Sequence, residues 1–147
     1  MKVRPAQTSD RTEHARMRAA LWPDADPAEL ADELDALLAD PDQVAFVAER
    51  EGDSKRLCGF AEASVRPFAN GVDESPCAFL EGWWVDEDTR RSGMGRALVA
   101  AVENWARGRG FAELGSDALL DNTLGHQAHQ ALGFEEQERV VYFRKRI

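Results

Sequence analysis

The chain has 147 residues, 44% of them hydrophobic, and a formal net charge of −9. That length suits one domain with a real core, here expected over residues 1–147. The charge disfavours nucleic acid as a partner and favours a cation, and no stretch reaches the ~18 apolar residues of a membrane span.

In chain order, "MKVRPA" reads as a first strand, followed by a helix over "SDRTEHARMRAALWP" with Ser9 as N-cap and Pro23 as its stop. The start lacks the apolar segment of a secretory leader, so a cytoplasmic protein is expected. From Asp24 to Asp42 the chain carries eight carboxylates and no basic residue. A run of this kind is either a solvated helix face or, in part, the rim of a site for a cation. Pro27 opens a second helix within it, striped by Leu30, Leu34, Leu37 and Leu38. "QVAFVAER" and "RLCGFAEASVR" read as strands joined by the turn "EGDSK". After the loop at 67–75, "PCAFLEGWWV" is the long apolar run of a central strand covered on both faces. Cys58 and Cys77 both fall in apolar stretches and read as buried, reduced thiols.

A glycine turn then leads into a helix in which Leu98, Ala101, Val102 and Trp105 recur at helical spacing. "FAELGSDA" follows as a strand, "NTLGHQAHQAL" as a short helix closed by Gly133, and "ERVVYFRKRI" as a last strand. The order is βααβββαβαβ, with a helix crossing between two strands that can lie parallel. The fold class is therefore α+β, a mixed sheet sandwiched by helices.

The turn "RRSGMG", Arg90 to Gly95, has the ingredients of an anion site. A helix N-terminus presents unpaired N–H groups and the positive end of its dipole. Gly93 and Gly95 would let a phosphate approach, and Arg90, Arg91 and Arg96 add positive field. The third glycine of the dinucleotide fingerprint is missing, and no "GK[ST]" follows to make a P-loop.

"RRSGMG" resembles the Q/R-x-x-G-x-G/A signature of the GNAT N-acetyltransferases, and the likeness runs along nearly the whole chain to "LGF" at 132–134. "ALWP", Asn70-Gly71, "SPCAFLEGWWV", "SDALLDN" and "HQALGFEEQERVVYFRKR" resemble, more narrowly, the aminoglycoside 6'-N-acetyltransferases. The resemblance implies the GNAT acyltransferase fold, acetyl-CoA as cosubstrate, a cationic aminosugar as substrate and a homodimer. It places the cofactor against Trp83, Trp84, Val85, Arg90, Arg91, Ser92, Gly93, Met94, Gly95 and Arg96, with Asn122 beside the pantetheine arm and His129 near the thiol. In that family the strands diverge at a bulge near Trp84 and Val85, where a backbone N–H would serve the oxyanion.

Acetyl transfer to an amine requires a proton acceptor, an oxyanion donor and a common binding site. Glu81 lies inside an apolar strand, where alternation puts it on the face of Phe79 and Trp83. A carboxylate there needs a partner, either an arginine or a substrate ammonium. In the second case it would also act as base, directly or through water. Asp117, at the end of the next strand, either faces the site or caps a turn. By resemblance Glu81 and Asp117 are the catalytic candidates and contact substrate ammonium groups, with Glu138 adding a third carboxylate. Trp22 and Phe68 would offer flat surfaces to sugar rings, although Trp22 fits a core position equally well.

Where many of these enzymes carry a tyrosine, this chain has His129. It is either the acid for the leaving thiolate or an ordinary helix-surface residue; the lone tyrosine, Tyr142, is the other candidate, and a thiolate that needs no dedicated acid is the third alternative. His126 and His129 lack a third ligand, so no metal is expected. The expected activity is direct acetylation of the 6'-amine of aminoglycosides in a ternary complex. A GNAT enzyme acting on another amine, and a non-catalytic acyl-CoA-binding module, are the alternatives.

Overall fold

In a computed structural model, residues 2–147 are described; Met1, at the head of the expected first strand, lies outside them. The chain divides into a large unit ending at Ser116 and a smaller one over Asp117–Ile147.

The large unit is built on a five-stranded sheet in the order β1 (Lys2–Pro5), β2 (Gln43–Arg50), β3 (Asp53–Arg66), β4 (Cys77–Val85) and β5 (Leu114–Ser116). The first four strands run antiparallel to their neighbours, and β5 pairs parallel to β4. The helices are α1 (Arg11–Leu21), α2 (Pro27–Ala39) and α3 (Met94–Gly108). A parallel pair needs a crossover, and α3 supplies it. The mixed α+β sheet expected from the sequence is therefore present.

Local chemistry sets the helix starts. Asp10, not Ser9, occupies the N-cap of α1, because Thr8–Asp10 already form a 3-10 turn. The Asp10 carboxylate is bound by Arg4 Nη1 and Nη2 at 2.8 and 2.9 Å and by the Gln7 N–H at 2.8 Å. In α2 the Asp26 carboxylate accepts from the Ala28 N–H at 2.9 Å and Pro27 fills the first turn. Leu30, Leu34 and Leu37 of α2 are buried.

On the α1 side of the sheet Met17, Val47, Leu57 and Phe60 form the packed core, with Trp22 and Trp84 against it. On the opposite side, a Cβ on Gly59 would meet Leu98 Cδ1 of α3 at 2.9 Å. Cys58 and Cys77 are both buried and free.

The pairing of β3 with β4 slips by one residue. Ala63 pairs with Leu80 and Glu62 with Gly82, which leaves Glu81 as an extra residue, a β-bulge. Strict alternation would put Glu81 with both Phe79 and Trp83, and the bulge corrects that. Glu81 keeps the face of Phe79, as its bond to Ser64, the partner of Phe79, requires. Gly82 then takes the same face, where a Cβ would meet Trp22 Cη2 at 2.7 Å. Trp83 is turned to the other side, with its indole 3.0 Å from where a Cβ of Gly95 in α3 would stand. The bulge lies at Glu81 and not, as the resemblance implied, at Trp84 and Val85. The β4–β5 ladder ends just before it, at Leu80 and Ser116.

β5 is shorter than the 111–118 expected. The Ala112 and Glu113 N–H groups donate to the Glu74 carboxylate, at 3.0 and 2.6 Å, and not to a strand. The Glu113 carboxylate in turn accepts from the Asp73 and Glu74 N–H groups, so the 67–75 loop is tied to the start of β5.

In the smaller unit, α4 (Thr123–Ala131) is capped by the Asn122 side chain, which accepts from the Gly125 N–H at 2.9 Å. Gly133, with φ of +90°, follows as its left-handed stop. The strand expected over residues 138–147 is not formed. A strand is stable only when its backbone is laddered to a neighbour, and among the described residues of its own unit this segment has none. Val141, Tyr142 and Phe143 are exposed along it.

Candidate active site

A cavity of about 450 Å³ opens between α1, α2 and the edge of the bulge, lined among others by Trp22, Asp40, Asp42, Glu62, Ser64 and Glu81. Its size and its mixture of one aromatic with converging carboxylates suit a polar organic ligand. Trp22 belongs to the packed layer and also borders the cavity. It packs on Phe60 with ring centroids 6.3 Å apart, fills the space left by Gly82, and still lines the cavity.

The bulge aims Glu81 into this cavity. Its Oε1 accepts from Ser64 Oγ at 2.5 Å and from Arg66 Nε at 2.7 Å, and its Oε2 accepts from Arg66 Nη2 at 2.6 Å. The Arg66 guanidinium carbon also lies 3.7 Å from the centre of the Phe79 ring. The partner required for a carboxylate in this strand is thus an arginine.

A second carboxylate, Glu62, forms the floor of the cavity. It is 2% exposed and accepts from Arg18 Nε and Nη2 at 2.8 and 3.1 Å, while His14 Nε2 lies 2.8 Å from its Oε1. Arg18 continues to the Leu30 carbonyl at 2.7 Å and to Glu33 at 2.9 Å, and its guanidinium stacks 5.0 Å from the Trp22 ring centre. Burial opposes ionisation of Glu62, but the hydrogen bonds and charge of His14 and Arg18 outweigh it and hold the carboxyl below its ordinary range. The same signal that singled out Glu81, a carboxylate in an apolar strand, was present at Glu62 in "GFAEASV". His14, Arg18, Ser64 and Arg66 carried no such signal, because nothing in their local sequence marks them as partners of carboxylates on other elements.

The acidic run divides in the structure. Asp32 and Asp35 pair with Arg11 on the surface, and Glu33 pairs with Arg18. Asp40 and Asp42, at the turn after α2, reach the cavity. Asp42 also pairs with Arg109 at 2.7 Å.

Where β4 ends, Asp86 fastens the exit of the strand. Its N–H donates to the Cys58 carbonyl, and its carboxylate accepts from Trp84 Nε1, Arg16 and Arg50 at 3.0, 2.9 and 3.0 Å. Arg90 Nε donates to the Val85 carbonyl at 2.9 Å with its guanidinium over the Trp84 ring, so this arginine braces the turn. Ser92 Oγ donates to the Thr89 carbonyl at 2.6 Å. Gly93, with φ of +86°, enters α3 in the left-handed region, and no side chain caps that N-terminus. Met94 is buried beneath the turn, while Arg91 and Arg96 are exposed around it. A 15-residue helix with an uncapped start, a Cβ-free entry and flanking arginines fits a pyrophosphate. Gly95 answers a different need, room for the Trp83 indole.

Phe68 is 73% exposed on the loop after β3. Asp117 is exposed, directly after Ser116 of β5, and Glu138 is exposed in the C-terminal segment. Asn122 is the α4 cap. His129 donates from Nδ1 to the Gly125 carbonyl at 2.6 Å and meets Phe134 edge-on, with centroids 5.1 Å apart. Tyr142 is 80% exposed.

A mixed sheet whose fourth strand leaves a bulged acidic cavity and feeds a glycine-entered helix is the frame of a coenzyme-A-dependent acyltransferase. The chain belongs to the acetyltransferase (GNAT) family, whose model matches residues 11–134. It is 45% identical over 144 residues to the aminoglycoside N(6')-acetyltransferase type 1 of Stenotrophomonas maltophilia, covering 97% of this chain and 91% of that one. The apo crystal structure of aminoglycoside antibiotic 6'-N-acetyltransferase AAC(6')-Ig from Acinetobacter haemolyticus superposes with a TM-score of 0.92 at 36% identity, covering 100% of this chain and 99% of that one. AAC(6')-Iy in complex with the bisubstrate analogue CoA-S-monomethyl-acetylneamine gives 0.91 at 35% identity, covering 99% and 98%.

Proposed function

We propose that this protein is an acetyl-CoA-dependent aminoglycoside 6'-N-acetyltransferase that transfers the acetyl group directly to the amine in a ternary complex. The observation that carries the reading is the single strand β4. It presents Glu81 to an acidic cavity with an aromatic wall, and eight residues after its end the chain enters a helix suited to a pyrophosphate. The relatives, close along their full length, are aminoglycoside acetyltransferases by name.

Acetyl-CoA supplies the acyl group as a thioester. The chain's own residues bind and orient the amine: Glu81 holds the ammonium, takes up its proton directly or through water, and Trp22 packs against a sugar ring. Asp117, Glu138 and Phe68 add carboxylates and a further flat surface to substrate recognition, and Asn122 and His129 serve the cofactor arm. A covalent enzyme intermediate is disfavoured, because burial pushes the Cys58 and Cys77 thiols up and away from the reactive thiolate. We read the chain as one functional domain because the family match runs across the division at Ser116. The exposed Val141, Tyr142 and Phe143 favour a homodimer in which a second copy covers them. Reduced cysteines favour the cytoplasm, and no described helix is long and apolar enough to cross a membrane.

The test is release of free thiol from acetyl-CoA with kanamycin, beside a spermidine control. Kanamycin-dependent release that falls by about 100-fold or more in Glu81→Ala supports the assignment. Release with spermidine alone moves the activity to another amine, and tight acetyl-CoA binding without turnover leaves a binding module.

A further inference from the structure

The two glutamates that line the cavity, Glu62 and Glu81, are each paired with an arginine, and the pairs differ in kind. Arg18–Glu62 is sealed, with side chains 7% and 2% exposed, and Arg18 is bonded onward to a carbonyl and a second carboxylate. Arg66–Glu81 is open, at 38% and 30%. A sealed pair is part of the architecture, since separating it would strand charge in the interior. An open pair exchanges partners readily, because solvent takes up either charge.

The open pair also has the form of a bound substrate. Arg66 sets a planar cation on the Glu81 carboxylate through two hydrogen bonds and lays it over the Phe79 ring. A carboxylate and an aromatic face are the two groups that recognise an organic ammonium. With Ser64 Oγ also donating to Oε1, three of the roughly four lone-pair positions of Glu81 are occupied.

Resting on the aminoglycoside reading above, we propose that Arg66 is a specificity-determining residue: a resident cation on Glu81 that the reacting ammonium must displace. A ligand with a hydroxyl at the reacting position has no charge to exchange and leaves Arg66 where it is. A ligand with an ammonium there replaces one cation by another, helped by its other ammonium groups near Asp40 and Asp42 on the same cavity. The transfer then removes the competitor. The nitrogen–acetyl bond forms, the thioester C–S bond breaks, one ammonium proton leaves with the thiol and the other passes to solvent. The product nitrogen is a neutral amide, Arg66 returns to Glu81, and the acetylated product is released.

The experiment is calorimetric titration of the wild-type protein, Arg66→Gln and Arg66→Lys with neomycin and with paromomycin, which carries a hydroxyl in place of the 6'-amine. Arg66→Gln should tighten neomycin by about fivefold, the size of a part-exposed charge pair, and leave paromomycin within about twofold. Arg66→Lys, which keeps the competing charge, should stay near wild type for both. Equal changes for the two ligands, weaker neomycin binding in Arg66→Gln, or Arg66→Lys behaving as Arg66→Gln would each overturn the proposal. Thermal melts of the variants separate these outcomes from a folding defect, and a variant that melts early is replaced by Arg66→Met under the same criteria. If kanamycin turnover is present while the neomycin–paromomycin difference fails, only the role of Arg66 falls. If no aminoglycoside turns over, the reading beneath it falls.

Discussion

Replacing Glu62 by glutamine tests how the floor of the cavity is held. The substitution keeps the shape of the side chain and removes its charge. Arg18 would lose two charge-assisted bonds, of 2.8 and 3.1 Å, and His14 would lose its 2.8 Å partner. The new amide nitrogen would also point a donor at donors. Removing one partner of a buried pair costs roughly 3–5 kcal/mol. Arg18 retains the Leu30 carbonyl and Glu33, the latter 59% exposed, so the lower end applies, about 3 kcal/mol. For a chain of this size that lowers the melting temperature by about 6–12 °C.

The pH dependence follows from the direction of the Glu62 shift. Its carboxyl titrates below the ordinary 4.5 in the folded protein. The unfolded chain therefore binds the proton first as pH falls. The stability Glu62 contributes is complete above about pH 4.5 and is lost as pH drops through the folded value. The gap between wild type and Glu62→Gln should accordingly be constant at neutral pH and narrow in acid. Urea denaturation followed by tryptophan fluorescence at pH 7 and at pH 3.5 measures it. A gap under about 0.5 kcal/mol, or one that does not change with pH, would refute the picture of a charged carboxylate holding Arg18 and His14 together.

Gly82→Ala should cost about 1–3 kcal/mol, since the new methyl would stand 2.7 Å from Trp22 Cη2; a melt checks stability and kanamycin KM reports the shift of Trp22 in the cavity. Gly93→Ala places a Cβ at a φ of +86° and should destabilise by about 1–2 kcal/mol, with a raised Kd for CoA measured by calorimetry. Asp26→Ala removes the α2 cap and should lower stability by about 1 kcal/mol in denaturant titration, without effect on CoA binding.

The regular elements were legible because each is decided within its own window. Pro27 after Asp26 and a leucine stripe specify α2 with no help from elsewhere, and the apolar run of β4 requires burial on both faces. The glycine turn was legible for the same reason, although the two glycines have separate purposes, a left-handed entry at Gly93 and space for Trp83 at Gly95. What the sequence hid is relational. Ser9 and Asp10 are both good caps by type, and α1 starts after Asp10 because Thr8–Asp10 form a 3-10 turn, whose last carboxylate Arg4, on another element, binds. "ERVVYFRKRI" has the composition of a strand but no ladder partner among the described residues of its own unit, and composition cannot supply one. Glu81 was legible as a carboxylate in need of a partner, but which arginine pairs with it was not, since Arg66 reaches it only through the pairing of β3 with β4.

The extra residue at Glu81 works as a half-period phase shift within one strand. Up to Phe79 the odd-numbered side chains face α1; from Gly82 the even-numbered ones do, so a single nine-residue segment changes step once and keeps both layers supplied. Deleting residue 81 is therefore a different event from mutating it. Glu81→Ala removes a carboxylate and leaves Trp22 over Gly82 and Trp83 against α3. Excision would restore the regular alternation and swap the destinations of every residue from Gly82 to Val85, driving Trp83 toward Trp22 and Trp84 toward Gly95. Insertions and deletions at this one position should thus be far less tolerated than any substitution there.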